Sequence, residues 1–318
     1  MSSAGEAIID VRELTKVYNG SVRAVDGVTF QVSEGEIFGF LGPNGAGKTT
    51  TVRMLCCLIS KTSGEARIAD YDVGKEADAL KIRKLIGLVP DNVGLYEDLS
   101  AYDNLDFYGK LYDCPDAQRK ENIQRFLTML GLWEERDVMA GTFSKGMKQK
   151  LAIARALIHE PKLIFMDEPT ANLDPESAKT VRDFVLELKK EKRTIFLNTH
   201  NLDEAQKICD RIGILSTKLI AMGTPQELEK ALSSGGTRRT IVLLQEQATD
   251  EVLAGLRPLS GNVTTEGNRL TIELKDPEKE NAAVIEAIAK AGGHIQSVTI
   301  AAASLEDVYL KLVREGES

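Results

Sequence analysis

Gly42-Pro43-Asn44-Gly45-Ala46-Gly47-Lys48-Thr49, followed by Thr50, have the residue types and spacing to hold a polyphosphate. Glycines let the backbone curl around an anion and aim several N–H groups at it. A helix that starts where such a loop ends adds its unpaired N–H groups and the positive end of its dipole. Lys48 can reach the β- and γ-phosphates of a nucleotide, and the Thr49 hydroxyl can ligate Mg2+. A second candidate pair is Asp167-Glu168, which closes the apolar run Leu163-Ile164-Phe165-Met166. Asp167 can hold Mg2+ directly or through water, and Glu168 can polarise the water that attacks a γ-phosphate. In isolation the pair reads as two carboxylates capping a strand end; the upstream loop favours the chemical reading. His200 follows the apolar run 194–198 and is one of three histidines. It is either a satisfied core histidine or a donor to a phosphate oxygen. His159 and His294 carry no assigned role.

These residues need a scaffold. The phosphate loop falls between an apolar run at 37–41, read as a strand, and a helical run at 49–58. Upstream, 8–14 alternates as a strand, 18–21 is a turn, and 22–32 reads as a second edge strand pair with Asp26-Gly27 as the turn signal. Downstream come a strand at 66–69, a helix at 77–84, a buried strand at 85–89 and a loop at 91–99. Helices are predicted at 100–112, 116–130, 147–157, 175–190 and 202–209. Strands are predicted at 163–167, 194–198, 212–215 and 219–222, with Gly223-Thr224-Pro225 as a turn. Buried apolar strands alternating with helices imply a parallel sheet covered on both faces. Ser233-Ser234-Gly235-Gly236-Thr237 reads as a linker. Beyond it, strand 240–244, helix 251–256, hairpin 262–265 with 269–275, helix 281–291, strand 295–300 and helix 305–313 suggest a small α+β domain of split β-α-β type.

Composition sets the outer limits. A chain of 318 residues, 42% of them apolar, is long enough for two domains with sizeable cores. The net charge of −8 argues against a nucleic-acid binder. Cys56, Cys57, Cys114 and Cys209 form no Cys-x-x-Cys pair, so neither a zinc site nor a disulfide framework is expected, and a reducing compartment fits. No signal peptide is read at the start, and no apolar run approaches the roughly 20 residues that span a bilayer. A role at a membrane is therefore expected to come through a partner.

In motif order and spacing, the first 230 or so residues resemble the ATP-binding cassette (ABC) ATPases. Ser144-Lys145-Gly146-Met147-Lys148-Gln149 stands where that family has its signature. Asn172-Leu173-Asp174 stands where the family contacts the opposite subunit, and His200 where it has its switch histidine. Tyr18 resembles the aromatic residue that stacks on adenine; its alternative is packing on the sheet edge. Asp91 stands where the family usually has a Gln that contacts Mg2+. A carboxylate is also a hard ligand for that ion but cannot donate a hydrogen bond as an amide does. Phe143, Lys145 and Met147 replace the first, third and fifth residues of the usual Leu-Ser-Gly-Gly-Gln, while Ser144 and Gly146 remain.

The resemblance implies an α/β fold: a P-loop NTPase with a mostly parallel sheet, an antiparallel edge subdomain and a helical subdomain at about 91–158. Residues 1–232 would form the ATPase domain, 233–237 a linker and 238–318 a C-terminal α+β accessory domain. It also implies a head-to-tail homodimer on ATP binding, with each ATP touching the phosphate loop of one chain and Ser144 and Gly146 of the other. The expected function is the ATP-hydrolysing motor of an exporter, held at the inner face of the membrane by a separate permease. The stretch 91–112 would dock a permease helix, with Gly94-Leu95-Tyr96 and 105–108 as anchors; the alternative for those residues is core packing. The tail segment Ser304-Leu305-Glu306-Asp307-Val308-Tyr309 resembles exporter-type ATPases whose substrates include drugs, lipids, polysaccharides and sodium. The competing function is a soluble ABC ATPase acting on ribosomes or DNA. A single cassette, no basic tract and no long heptad segment between Lys48 and Ser144 argue against it.

Overall fold

The computed structural model describes residues 6–233 and 238–301, and the chain divides into two compact units after Thr224. The first unit begins with β1 (Ala7–Tyr18), β2 (Val22–Ser33), β3 (Ile37–Leu41), α1 (Lys48–Leu55), β4 (Ser63–Ile68) and β5 (Tyr71–Asp72). It continues through α2 (Glu76–Leu85), β6 (Ile86–Val89), α3 (Ala101–Leu111), α4 (Asp116–Met129) and α5 (Lys145–Leu157). It closes with β7 (Leu163–Asp167), α6 (Pro175–Lys190), β8 (Thr194–Thr199), α7 (Leu202–Ile208), β9 (Arg211–Ser216) and β10 (Lys218–Gly223).

Two sheets form. An antiparallel sheet runs β2-β1-β4-β5, and a mainly parallel one runs β10-β9-β3-β8-β7-β6, with β10 as its antiparallel edge. Every residue of β3, β7 and β8 is buried, as continuous apolar runs require of strands covered on both faces. Phe30, Phe38, Phe40, Phe165 and Phe196 meet in the core; the Phe40 and Phe196 rings lie 5.3 Å apart, and Phe165 and Phe196 5.4 Å. Such rings dominate core burial and fix the strands beneath the site. Residues 22–33 are one continuous strand, not a pair of strands turning at Asp26-Gly27. The β1 ladder carries across that point with register shifts, and Gly27 takes a positive φ of 62° there. A bulge absorbs the turn chemistry.

The helices start where their caps place them. Ser100 accepts from Asp103 N to open α3, and Asp174 accepts from Ser177 N to open α6, with Pro175 at its first position. Leu105, an expected anchor, is buried in the core, whereas Tyr96 and Phe107 are 48% and 43% exposed. Those two rings pack edge to face, 5.1 Å apart.

The second unit contains α8 (Pro225–Ser233), β11 (Arg238–Leu244), α9 (Asp250–Leu256), β12 (Val263–Glu266), β13 (Arg269–Leu274), α10 (Pro277–Lys290) and β14 (Ile295–Ala301). Its described strands form one antiparallel sheet, β12-β13-β11-β14. Val242, Leu270 and Ile272 of the sheet pack with Val252 and Leu256 of α9 and Val284 and Ile288 of α10. Alternation places those strand residues on one face. Helix α8 was not expected: Pro225 opens a helix rather than closing a turn, since its fixed φ and missing N–H suit a first helical position. Helix α10 starts a turn earlier than the pattern indicated, where Asp276 N donates to Glu280 Oε2 at 2.9 Å. Linker residues 234–237, the expected helix 305–313 and the segment 304–309 lie outside the described residues.

Candidate functional site

Strand β8 lies between β3 and β7 in the sheet. The parallel register pairs Leu41 with Thr199 and Asp167 with Asn198. Three chain segments therefore leave the sheet side by side at the carboxyl ends of their strands, where α/β sheets bind ligands. They are the phosphate loop after β3, Glu168 after β7 and His200 after β8. A cleft of about 400 Å3 opens there, lined by residues 43–50, Asp91, Asp167, Glu168, Ala171, Asn172 and His200.

The loop geometry follows from its glycines. Gly47 caps α1 at a φ of 98°, and a Cβ there would stand 2.3 Å from Ala24 O. Both facts admit only glycine. Lys48 is 7% exposed, and its Nζ donates to Gly42 O at 2.6 Å and to Pro43 O at 3.2 Å. Burial pushes its amine pKa down, with Glu168 and Asp167 pulling the other way. The amine is thus held by neutral carbonyls beside two carboxylates.

The Thr49 hydroxyl donates to Asp167 Oδ2 at 2.8 Å, and Asn198 Nδ2 donates to Asp167 Oδ1 at 3.2 Å. Thr49 and Asp167 supply hard oxygen donors at one point, the chemistry that suits Mg2+. Among the described residues no group of three or more His, Cys, Asp or Glu side chains converges for a metal. Asp91 is exposed on the rim of the same cleft. Asn198, fully buried, was not singled out in the sequence. Its signal was a polar residue ending the apolar run Ile195-Phe196-Leu197.

Glu168 sits in the left-handed region with φ 51° and donates its N–H to Asn198 O at 2.9 Å. A residue with a Cβ keeps that conformation only where its surroundings hold it, here as at nine other non-glycine residues with positive φ among those described. His200 Nδ1 lies 2.8 Å from Glu168 Oε1. Asn172 also takes a positive φ, 57°, a conformation that Asn tolerates better than most residues.

Four candidates are not cleft-lining residues: Gly42, whose carbonyl accepts from Lys48, and Tyr18, Ser144 and Gly146. Tyr18 ends β1, 36% exposed, with Lys16 Nζ 5.0 Å from its ring centroid. Ser144 caps α5, its Oγ accepting from Met147 N at 3.2 Å. A Cβ on Gly146 would come within 2.9 Å of Ser177 Cβ and 2.4 Å of Ser177 Oγ. Its small size therefore also lets α5 pack on the start of α6.

A phosphate loop, a carboxylate pair on the next strand but one and a histidine on the strand between them define a P-loop nucleoside triphosphatase of the ATP-binding cassette kind. Family comparison agrees: the ABC transporter model matches residues 25–171, and the C-terminal domain model of DrrA1-3-like ATP-binding proteins matches residues 223–313. The chain belongs to the ABC transporter family and is an ATP-hydrolysing, ATP-binding subunit of it. It is 35% identical over 312 residues to the linearmycin resistance ATP-binding protein LnrL of Bacillus subtilis, covering 96% of this chain and 98% of the relative. It is 34% identical over 314 residues to the daunorubicin/doxorubicin resistance ATP-binding protein DrrA of Streptomyces peucetius, covering 98% and 94%. Among solved structures, CbiO1 of Clostridium perfringens, part of an ABC transporter complex, superposes with a TM-score of 0.64 at 29% identity, over 70% of this chain and 90% of that one. A dimeric ATP-binding cassette in a post-hydrolysis state, bound to ADP and phosphate, gives 0.62 at 26% identity, over 68% and 98%. Among the described residues no helix is long and apolar enough to cross a membrane.

Proposed function

We propose that this chain is the motor of a small-molecule exporter and that its ATP site is completed by a second copy. Residues 42–50 wrap the phosphates, with Lys48 moving from the Gly42 and Pro43 carbonyls onto the β- and γ-phosphates. Thr49 and Asp167, with Asp91 at the rim, would hold Mg2+, which neutralises charge on those phosphates when bound. Adenine stacks on Tyr18. Glu168 takes the proton of the water that attacks the γ-phosphorus, and His200 holds the γ-phosphate by hydrogen bonding. Ser144 and Gly146, at the N-terminus of α5, reach the ATP of the opposite chain. The observation that carries this reading is the 2.8 Å contact of His200 with Glu168 in the same cleft as the phosphate loop. Replacing Glu168 with Gln is expected to retain ATP affinity in calorimetry and to lower turnover by about a thousandfold, within the range a positioned base contributes. Wild-type turnover in that variant would sink the assignment.

Residues 1–232 serve as the ATPase domain in this reading, with about 91–158 as its helical subdomain and 233–237 as the linker. Residues 238–318 act as an accessory α+β domain. Exposed Tyr96 and Phe107 form the docking surface for the permease that keeps the subunit at the inner face of the membrane. Relatives named for linearmycin and daunorubicin/doxorubicin resistance support a toxic small molecule as cargo. Phe107→Ala should lower permease-stimulated hydrolysis about tenfold, the cost of one aromatic anchor, and affect basal hydrolysis much less. Equal loss in both assays would remove the docking role.

A further inference from the structure

Residues 168–172 leave β7 and are held to the neighbouring segment by the backbone bond from Glu168 N–H to Asn198 O and by two side-chain contacts. One is the His200–Glu168 contact. The other lies deeper: Thr170 Oγ1 donates to Glu204 Oε2 at 2.6 Å. Glu204 stands in the first turn of α7, four residues beyond His200, and its N–H is capped by Asn201 Oδ1 at 3.1 Å. It is 3% exposed, and its Oε1 is buried with no hydrogen-bond partner among the described residues. A buried carboxyl with one oxygen unsatisfied is costly, and phosphate binding and water activation make no use of it. Burial raises its pKa; the Thr170 bond, Arg182 of α6 and His200 oppose that shift, while Glu168 adds to it. Burial raises the pKa of the neighbouring Cys209 thiol, and Glu204 adds to that rise.

We infer that Glu204 is a positioning residue for hydrolysis: through Thr170 it ties the segment that carries Glu168 to the helix that follows His200. This rests on the reading of Glu168 and His200 given above. The physical reason is the strain at Glu168. A non-glycine residue at a φ of 51° relaxes unless its neighbours prevent it. The backbone bond to Asn198 O holds one side of Glu168, and the Thr170–Glu204 bond holds the chain two residues further on. Without that tether the Glu168 carboxylate loses its register with His200, while the phosphate loop is untouched. The tether therefore acts on turnover and not on ATP affinity.

The test uses the full chain, with steady-state hydrolysis and ATP binding by calorimetry for Thr170→Val, Glu204→Leu, Glu204→Gln and the double variant Thr170→Val/Glu204→Leu. Thr170→Val and Glu204→Leu are each expected to lower kcat about tenfold, the kinetic equivalent of one buried hydrogen bond, with ATP affinity within about twofold of wild type. The double variant should lose no more than the worse single, because both remove the same bond. Glu204→Gln, whose amide oxygen still accepts from Thr170, should recover most of the loss. Should Glu204→Leu fail to fold, Thr170→Val and Glu204→Gln decide the matter alone. Unchanged kcat in Thr170→Val, a Glu204→Gln loss as deep as that of Glu204→Leu, multiplying losses in the double variant, or a parallel fall in affinity would each overturn the inference. Glu168→Gln in the same assay separates the two layers. If it stops turnover while Thr170→Val does not, the tether alone is wrong; if it turns over normally, the underlying reading is wrong.

Discussion

Single residues in this chain are held in states that only a folded surrounding maintains. Lys48 keeps its charged amine on two backbone carbonyls, and His159 shows the opposite case, a titratable ring kept neutral. Its Nε2 donates to Ile86 O at 3.0 Å, and the ring stacks on Tyr112 at 3.8 Å. Its buried Nδ1 has no partner among the described residues, so a second proton has nothing to bond to. Burial accordingly lowers its pKa from 6.5 to about 4. Between those values the unfolded chain binds more protons than the folded one. The contribution of this group is thus complete above pH 6.5 and is lost as pH falls toward 4, on the order of 3 kcal/mol at most. His159→Gln, which keeps a donor for Ile86, should flatten the fall in melting temperature across that window. An unchanged slope would show that other groups set it.

At the scale of elements, α5 joins several features. Its N-terminus carries Ser144 as cap, Gly146 packs against Ser177 on α6, and Arg155 near its end donates to Val93 O at 2.7 Å and Gly94 O at 2.6 Å. That guanidinium also lies 5.0 Å from the Tyr108 ring centroid. One rigid helix therefore fixes the loop that follows Asp91 and supports the aromatic cluster of α3. The tight contact at Gly146 gives a direct check. Gly146→Ala forces the start of α6 away and should destabilise the first unit by about 1–3 kcal/mol, the usual cost of overpacking. An unshifted midpoint in urea denaturation would mean that the two helices part without strain.

Across the whole molecule, each of the two units has its own apolar core. Units with separate cores unfold separately unless a large interface couples them. Scanning calorimetry should therefore resolve two transitions. Saturating ATP with Mg2+ should raise only one of them, by about 2–4 °C, since a ligand stabilises the unit that holds its site. A single transition, or one in which both shift together, would show the units to be thermodynamically coupled. The family comparison divides in the same way, with one match inside the first unit and another almost wholly within the second.

Much of the site was legible in the sequence because its chemistry is local there. The phosphate loop is contiguous, its glycines answer to backbone geometry, and Asp167-Glu168 and His200 each lie at or just beyond the end of a short apolar run whose length favours a buried strand. Local pattern also located most helices. It failed where pairing overrode it, at Asp26-Gly27, and where Pro225 served as a helix start. What only the tertiary structure decided is which distant residues meet. Thr49 and Asp167 are 118 residues apart in the chain, yet bond because β8 lies between β3 and β7. The same strand order hands Asp167 to Asn198, and chain folding hands Thr170 to Glu204 and Gly146 to Ser177. Residue type and spacing carry the potential chemistry of a group, whereas its burial and its partner are properties of the packed sheet.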